Sequence, residues 1–239
     1  MSPPATQAEP VQTPGGGVSM SAAEISRLGG ELYADAGLLT RLMCRYRSNI
    51  CPLELVIEQT PPGSSVLDIG CGSGLVLLSL AASGRLASGH GFDASPGAIE
   101  AAKGAAARLA AKGTPAPSFE HRRVEQGLPD GPFEAVLLID VMHHVDPEAR
   151  RELFSHACKR VAPGGRLIYK DMVDHPRWRA LANQAHDLVM ARQLIRYCAI
   201  EEIEAWAGEE SLTLVHREDA TRLWYGHELR VFERSAGDA

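Results

Sequence analysis

The sequence lacks three patterns that would assign it to familiar classes of protein. Its five cysteines are scattered and none forms a C-x-x-C pair, which excludes a disulfide framework and a zinc knuckle. The chain contains 24 Lys and Arg residues but 30 Asp and Glu residues, so we expect no strongly basic surface for nucleic acid. No apolar run reaches about eighteen residues, and no membrane span is therefore predicted. These absences favour a protein of the reducing cytoplasm.

The first twenty residues, MSPPATQAEPVQTPGGGVSM, also lack the features of a folded or targeting segment. They contain four prolines and a triple glycine but no basic side chain and no apolar run typical of a signal peptide. Such a composition cannot bury a core, and we expect residues 1–20 to form a disordered tail. The rest of the 239-residue chain, which is 45% hydrophobic overall, fits one large domain.

A helical pattern begins at Ser21, which together with Glu24 has the spacing of a capping box. Apolar residues then recur at helical spacing until Pro61-Pro62-Gly63. The pattern predicts two or three short helices over residues 21–60. We interpret them as a helical lid that precedes a main domain of residues 61–239.

The main domain alternates between short apolar runs and helical segments. Strands are predicted at Ser65–Ile69, Ala87–Phe92, Ser118–Val124, Ala135–Ile139, Gly165–Asp171, Leu212–Arg217 and Glu228–Glu233. Helices are predicted at Gly74–Ala82, Pro96–Lys112, Pro147–Val161, Pro176–Cys198 and Ile200–Gly208. This alternation predicts an α/β fold with a doubly wound, seven-stranded, mostly parallel sheet. The last strand is expected to be antiparallel, because no helix separates the final two strands.

A glycine loop follows the first predicted strand in the run VLDIGCGSG, residues 66–74. The spacing is G-x-G-x-G and no Lys-Ser or Lys-Thr pair follows, which excludes a Walker-type triphosphate site. The second predicted strand ends in GFDAS, where Asp93 can accept both hydroxyls of a ribose. Ligands of doubly wound sheets bind beyond the carboxyl ends of the strands, where both features are predicted to lie.

Together with LPDGPFEAVLLIDVMHHV and CKRVAPGGRLI, these motifs make residues 60–172 resemble the class I S-adenosylmethionine-dependent methyltransferases. The resemblance implies a Rossmann-like fold, S-adenosylmethionine as cofactor and S-adenosylhomocysteine as product. It also implies a cofactor-binding role for a set of residues around the glycine loop and the following strand ends. These are Asp68, Gly70, Cys71, Gly72, Ser73, Gly74, Asp93, Ala94, Ser95, Glu125 and Asp140.

Within this set the resemblance assigns different parts of the cofactor to different residues. The glycines would lie under the methionine part, and Asp68 would fix the loop and the methionine amino group. Asp93 would bind the ribose, while Ala94 and Ser95 would border the adenine. Glu125 is the candidate for an adenine contact, although Val124 is nearer the expected position. Cys71 is expected to pack beneath the cofactor, with a redox thiol as the alternative.

Two histidines, His143 and His144, follow the fourth strand where a methyl acceptor would arrive. A histidine can take a proton at neutral pH, so either can serve as a general base, with His144 slightly favoured. Alternatively the pair caps the next helix or lines the cofactor. The D-x-x-H-H spacing from Asp140 resembles the E-x-x-E-H of some quinone-type O-methyltransferases, but it lacks the second carboxylate, and no metal is expected.

Two segments are candidates for covering the acceptor. The predicted helix at about 176–198 is longer than the linker typical of the family, and it carries Trp178, His186, Met190 and Tyr197. Ordinary packing or a homodimer interface is the alternative role for these residues. In the helical lid, Tyr46 and Arg47 are expected to approach the cofactor carboxylate or the acceptor, with a solvated face as the alternative.

The sequence therefore predicts an enzyme that methylates a small-molecule acceptor. Oxygen is the favoured atom, because the histidine pair offers a base and no N-P-P-Y-like amine motif follows the fourth strand. The Trp, Met and Leu content of the added helix favours an aromatic, quinone-like or polyketide-like acceptor. The alternatives are a C- or N-methyltransferase, a protein methyltransferase with an open acidic groove, and a non-catalytic cofactor-binding module.

Overall fold

The computed structural model describes residues 18–173, 197–223 and 225–237. The helices are α1 (Ala22–Leu32), α2 (Leu38–Ile50), α3 (Leu53–Gln59), α4 (Leu75–Ala82), α5 (Pro96–Ala111), α6 (Pro147–Cys158) and α7 (Ile200–Glu209). The strands are β1 (Ser64–Ile69), β2 (Leu86–Asp93), β3 (Ser118–His121), β4 (Phe133–Ile139), β5 (Val161–Met172), β6 (Leu212–Arg222) and β7 (Tyr225–Arg234). None of the helices in the described part of the chain is long and apolar enough to cross a membrane.

Within the described residues the strands form one sheet in the order β3-β2-β1-β4-β5-β7-β6. The pairs among β1 to β5 are parallel, whereas β7 is antiparallel to both β5 and β6. The strand order reverses between β1 and β4, so the carboxyl ends of these two strands flank the crevice where ligands of such sheets bind. The predicted doubly wound α/β fold and the antiparallel final pair are confirmed.

Alternate residues of the central strands belong to two separate hydrophobic clusters. Along β4, Ala135 and Leu137 pack in one cluster, and Val136 and Leu138 pack in the other. Because successive side chains of a strand point to opposite faces, the sheet is buried on both sides. Helices α1 to α5 cover one face and α6 and α7 cover the other.

Several predicted boundaries were wrong, each for a local reason. The third strand ends at His121 instead of Val124, and a 3₁₀ turn follows at Val124–Gln126. Helix α6 ends at Cys158, because Val161 already pairs with Phe133 and begins β5. Strand β6 continues beyond Arg217 through the polar run EDATR, in which exposed and half-buried residues alternate at the sheet edge. Apolar patterning could not find this extension.

The amino-terminal predictions fall partly outside the described residues, which begin at Val18. The Val18 amide donates a hydrogen bond to the Ser83 carbonyl at 3.1 Å, and Met20 packs against the core. The capping box is present, since the Ser21 amide donates to the Glu24 carboxylate and the Glu24 amide donates to the Ser21 hydroxyl. The predicted helix at 176–198 lies outside the described residues except for its last two positions.

Helices α1 and α2 form a closely packed antiparallel pair. Serine side chains link the two helices. The Ser48 hydroxyl donates a hydrogen bond to the Ala22 carbonyl at 2.8 Å, and the Ser26 hydroxyl donates one to the Arg45 carbonyl at 2.6 Å. A Cβ atom on Gly29 would lie 2.4 Å from the carbonyl oxygen of Cys44. The two helices can therefore approach this closely only because Gly29 has no side chain.

We expect Gly29→Ala to reduce the free energy of unfolding by about 1–3 kcal/mol, because the new methyl group would overlap the Cys44 backbone of α2. Gly30→Ala is the matched control, because its Cβ would contact only the Arg45 side chain at 3.8 Å. This control should be neutral or stabilising by up to about 1 kcal/mol through higher helix propensity. Urea denaturation followed by circular dichroism measures both changes. Equal stability of the two variants would contradict the close packing.

Candidate functional site

The loop between β1 and α4 turns sharply at the carboxyl edge of the sheet. Gly70 and Gly72 adopt positive φ angles of 69° and 53°, a region that side-chain-bearing residues rarely adopt. A Cβ on Gly70 would lie 2.7 Å from the Val141 side chain, so this glycine is required by packing. A Cβ on Gly72 would meet no atom within 4 Å. The loop backbone at Gly72 therefore faces open space that a ligand can enter.

Asp93, the last residue of β2, fixes this loop from the neighbouring strand. Its Oδ2 accepts a hydrogen bond from the Gly72 amide at 2.9 Å, and its Oδ1 accepts one from the Ser95 amide at 2.8 Å. The Cys71 amide also donates to the Phe92 carbonyl at 3.0 Å. A carboxylate has about four lone-pair positions, so Asp93 retains acceptor capacity for two hydroxyl groups.

Tyr33, the residue that follows α1, also holds this loop. Its hydroxyl donates a hydrogen bond to the Ser73 carbonyl, and its ring is almost fully buried. The sequence analysis did not identify this contact, because Tyr33 lies 40 residues away in a segment with only a helical pattern. Tyr33 thus connects the amino-terminal helices directly to the loop.

Asp68 in β1 is buried beneath the loop. Burial, reinforced by the nearby negative charge of Asp93, raises the pKa of Asp68 to about 8. The carboxyl group is therefore largely protonated at neutral pH in the free protein. A cation placed beside it would favour the ionised form, so Asp68 is suited to bind an ammonium group.

Asp140 follows β4 with a φ angle of 56° and lies between two cations. Its Oδ1 is 2.7 Å from Lys170 Nζ, and its Oδ2 is 2.7 Å from Arg47 Nη2. Burial alone would raise the pKa of Asp140, but Lys170 and Arg47 lower it well below its usual range. Lys170 is buried and also donates to Cys51 Sγ at 3.1 Å. These contacts connect β4, β5 and α2 at one point.

The two candidate bases occupy different environments although they are adjacent in sequence. His143 is buried, and its Nδ1 shares a hydrogen bond with Asp171 Oδ1 of β5. Burial opposes protonation of His143, but Asp171 outweighs it and the pKa is raised. His144 is exposed and lines the cavity described below. Their rings lie 4.0 Å apart between centroids.

One group of described residues has donor atoms close enough for a metal ion. Asp140, His143 and Asp171 place these atoms within 4.8 Å of one another. Asp171 supplies the second carboxylate that the D-x-x-H-H motif lacks, and it comes from the next strand. Lys170, however, lies 2.7 Å from Asp140 Oδ1 and would repel a cation there. The arrangement therefore fits a hydrogen-bonded charge network better than a metal centre.

A cavity of about 370 Å³ opens at this edge of the sheet. Its lining includes ten of the residues singled out in the sequence: Arg47, Asp68, Gly70, Cys71, Gly72, Ser73, Asp93, Ser95, Asp140 and His144. The sequence analysis missed a second, mainly apolar set, consisting of Met43, Cys44, Leu53, Leu75, Val76, Ala98 and Ile139. Met43, Cys44 and Leu53 belong to the helical lid, but a helical pattern alone does not indicate which residues face a cavity.

Other predicted site residues are not among the residues that line this cavity. Glu125 is exposed beside Arg123, and its carboxylate lies 3.5 Å from Arg123 Nε. Tyr46 is exposed, and Tyr197 is half-buried with its carbonyl accepting a hydrogen bond from Arg150 at 2.9 Å. The Ala94 carbonyl is 3.1 Å from His121 Nε2. Gly74 is the N-cap residue that precedes α4. Trp178, His186 and Met190 lie outside the described residues.

Burial raises the pKa of the Cys71 thiol, with further contributions from Asp68 and Asp93. A thiol with a raised pKa is a poor nucleophile, so the environment disfavours redox chemistry at this position. The side chain lies against Gly91, where a Cβ would come within 2.9 Å of Cys71 Sγ. Cys71 thus packs between the loop and β2.

Comparison with known proteins identifies a family and several relatives. The profile of the family described as "Methyltransferase domain" matches residues 39–217. A ribosomal protein L11 methyltransferase of Ralstonia nicotianae is 25% identical over 193 residues, which cover 77% of this chain and 53% of the relative. A mitochondrial ubiquinone biosynthesis O-methyltransferase of Schizosaccharomyces pombe is 39% identical over 113 residues, or 44% and 37% of the two chains. The chain thus spans about half the length, or less, of these curated relatives.

Solved structures show the same fold at low sequence identity. Magnesium protoporphyrin IX methyltransferase of Synechocystis PCC 6803, solved with bound S-adenosylhomocysteine, superposes with a TM-score of 0.64 at 18% identity. The match covers 87% of this chain and 93% of that one. An O-methyltransferase family protein from Burkholderia thailandensis gives a TM-score of 0.63 at 21% identity, covering 82% and 58% of the chains.

The raised pKa of Asp68 predicts a pH dependence of stability. Between its usual value of 3.8 and the folded value of about 8, Asp68 binds a proton in the folded state but not in the unfolded state. The free energy of unfolding should therefore fall as pH rises through this window, by of the order of 1 kcal/mol per pH unit from this group.

Asp68→Asn removes this dependence while keeping the shape of the protonated carboxyl group. Chemical denaturation of the ligand-free protein and of the variant at several pH values measures it. We expect the variant to gain stability relative to the parent as pH rises. Glu228, whose pKa burial also raises to about 8, is present in both proteins and cancels from the difference. A difference that does not change with pH would contradict the assignment.

Proposed function

Because the chain belongs to the S-adenosylmethionine-dependent methyltransferase family, we propose that it methylates an oxygen atom of a small apolar acceptor. The position of His144 on the wall of the cavity carries this proposal. The same cavity is lined by the glycine loop, by Asp93 and by the apolar residues Met43, Leu53 and Ile139. A donor site and an apolar acceptor site therefore adjoin a side chain that can accept a proton.

The residues of the loop fit the cofactor. The open space at Gly72 allows a ligand to approach the backbone, and Asp93 has acceptor capacity left for the ribose hydroxyls. Asp68 is the group we assign to the methionine ammonium, which would shift this carboxyl to its ionised form. Ala94 and Ser95 are assigned to the border of the adenine, and Glu125 stays a prediction for the adenine amino group.

When bound, S-adenosylmethionine supplies an electrophilic methyl group on a sulfonium. The protein's own contribution is to orient the acceptor, exclude water and take up the acceptor's proton. Met43, Leu53 and Ile139 provide apolar wall that orients an aromatic ring and excludes water. His144 takes the hydroxyl proton, so that oxygen attacks as an oxyanion. Arg47 is already bound to Asp140, and we assign it to closing the cavity rather than to binding an acceptor carboxylate.

A protein acceptor is the main alternative, and it is suggested by the relatives whose names refer to ribosomal protein L11. The apolar residues of the cavity support a small molecule instead, because a polypeptide side chain would not need such a wall. The names of the ubiquinone O-methyltransferases among the relatives agree with a phenolic acceptor. A carbon or nitrogen acceptor is the further alternative. A carbon acid would also need a base such as His144, whereas a free amine would not.

The first test is binding of S-adenosylhomocysteine by isothermal titration calorimetry. We expect the parent protein to bind, and Asp93→Ala to bind at least about tenfold more weakly, because two backbone anchors and the ribose acceptor are lost. Asp130→Ala is the control, since this carboxylate is fully exposed outside the cavity. No binding by the parent protein would contradict both the donor assignment and the proposed function.

The second test separates the two histidines with a panel of catechols and hydroxyquinones as acceptors. We expect His144→Ala to lower kcat by about 10²–10⁴-fold at neutral pH, with recovery at higher pH as the acceptor ionises by itself. His143→Ala should instead lower stability, because the buried Asp171 loses its side-chain hydrogen-bond partner and keeps only the Met172 amide. Unchanged turnover in His144→Ala would exclude the general base and favour a nitrogen or thiol acceptor. Methylation of protein substrates alone would favour the alternative function.

A further inference from the structure

Helix α2 presents an unusual number of apolar side chains to solvent. Large hydrophobic side chains on this helix are between 42% and 65% exposed, namely Leu38, Leu39, Leu42, Met43 and Tyr46. Their spacing of one, three, one and three residues places them along one stripe of the helix surface. The opposite side, with Cys44 and Ser48, is buried against α1. We call this exposed stripe the α2 apolar face.

The charges around the α2 apolar face are positive. Arg41 and Arg45 are exposed on the same helix, and α2 contains no acidic residue. Neither arginine takes part in an ion pair within the described part of the chain, although the Arg45 guanidinium lies 5.8 Å from the centroid of the Tyr46 ring. This local excess of positive charge contrasts with the net charge of −6 for the whole chain.

Two acidic residues on the chain just before α2 already have other cationic partners. Glu31 at the end of α1 is bound to Lys112 at 2.7 Å, and Asp35 in the turn before α2 is bound to Arg108. Both carboxylates therefore have cationic partners on or beside α5. A ligand that complements the α2 apolar face must supply both apolar surface and negative charge.

We propose that α2 binds the surface of an anionic phospholipid bilayer, with its apolar face in the acyl boundary and its arginines at the lipid phosphates. A helix with apolar residues on one side and arginines beside them is the type of segment that lies in such an interface. Arginine side chains extend their apolar stems along the boundary while their charged ends reach the headgroups. A neutral protein surface would satisfy the apolar residues but not the arginines.

The position of α2 connects this surface to the cavity. Met43 belongs to the α2 apolar face and also lines the cavity, and Arg47 lies one turn further along the helix. An acceptor dissolved in the bilayer would thus meet the cavity at the same helix that contacts the lipid. This connection rests on the proposed function, whereas lipid binding itself does not and is measured without methyl transfer.

The test is co-sedimentation with vesicles of phosphatidylglycerol and phosphatidylcholine, compared with vesicles of phosphatidylcholine alone. We expect the protein to bind the anionic vesicles in low salt and to dissociate as salt is added. We expect two double variants to bind at least about tenfold more weakly. One combines Arg41→Gln with Arg45→Gln, and the other combines Leu39→Gln with Leu42→Gln. None of these four residues lines the cavity, so binding of S-adenosylhomocysteine should be unchanged in both variants.

Lys103→Gln with Lys159→Gln is the matched control, because it removes two exposed positive charges from α5 and the end of α6. It should leave vesicle binding unchanged. The proposal is overturned if the parent protein does not bind anionic vesicles, or if the control variant loses as much binding as the α2 variants. It is also overturned if the protein self-associates without lipid and Leu39→Gln with Leu42→Gln abolishes that association, because a second copy would then cover the face.

Discussion

Asp140 is held between Lys170 and Arg47, and the walls of the cavity depend on this arrangement. Lys170 comes from β5 and Arg47 from α2, so the carboxylate connects the sheet to a helix about 90 residues earlier in the chain. A buried charge that loses its partner costs about 3–5 kcal/mol, so the buried groups Asp140 and Lys170 depend on each other, whereas the partly exposed Arg47 contributes less. The left-handed backbone at Asp140 is tolerated because both cations hold its side chain in place.

The donor side of the site was predictable from the sequence because its residues follow one another closely. The glycine loop and Asp93 lie within two strands and the helix between them, and the positive φ angles and the bond from Asp93 to Gly72 arise from local geometry. The strands themselves and the capping box at Ser21 were predictable for the same reason, since hydrophobic periodicity and capping act over a few residues.

The acceptor side was not predictable in the same way, because it is assembled from distant segments. Lys170 lies in an apolar strand, and nothing in its neighbourhood indicates that it pairs with Asp140. The sequence also gave no sign that the adjacent residues His143 and His144 have different environments. A 3₁₀ turn directs His143 inward to Asp171 and leaves His144 at the cavity. Met43 and Leu53 could be assigned to helices but not to a cavity wall, because that depends on how α2 and α3 pack on the sheet.

The hydrogen bonds that join α1 to α2 have a consequence for how ligands enter and leave. Any displacement of α2 that preserves them must carry α1 along, and with it the Tyr33 hydroxyl that holds the Ser73 carbonyl. Under the proposed function, widening the acceptor side in this way would loosen the glycine loop on the donor side, and the two binding steps would be energetically linked. The same displacement separates Arg47, whose side chain is 38% exposed, from Asp140. Dissolved ions reach only the arginine of this pair, because the Asp140 side chain is 10% exposed, and we expect separation of the pair to depend weakly on ionic strength.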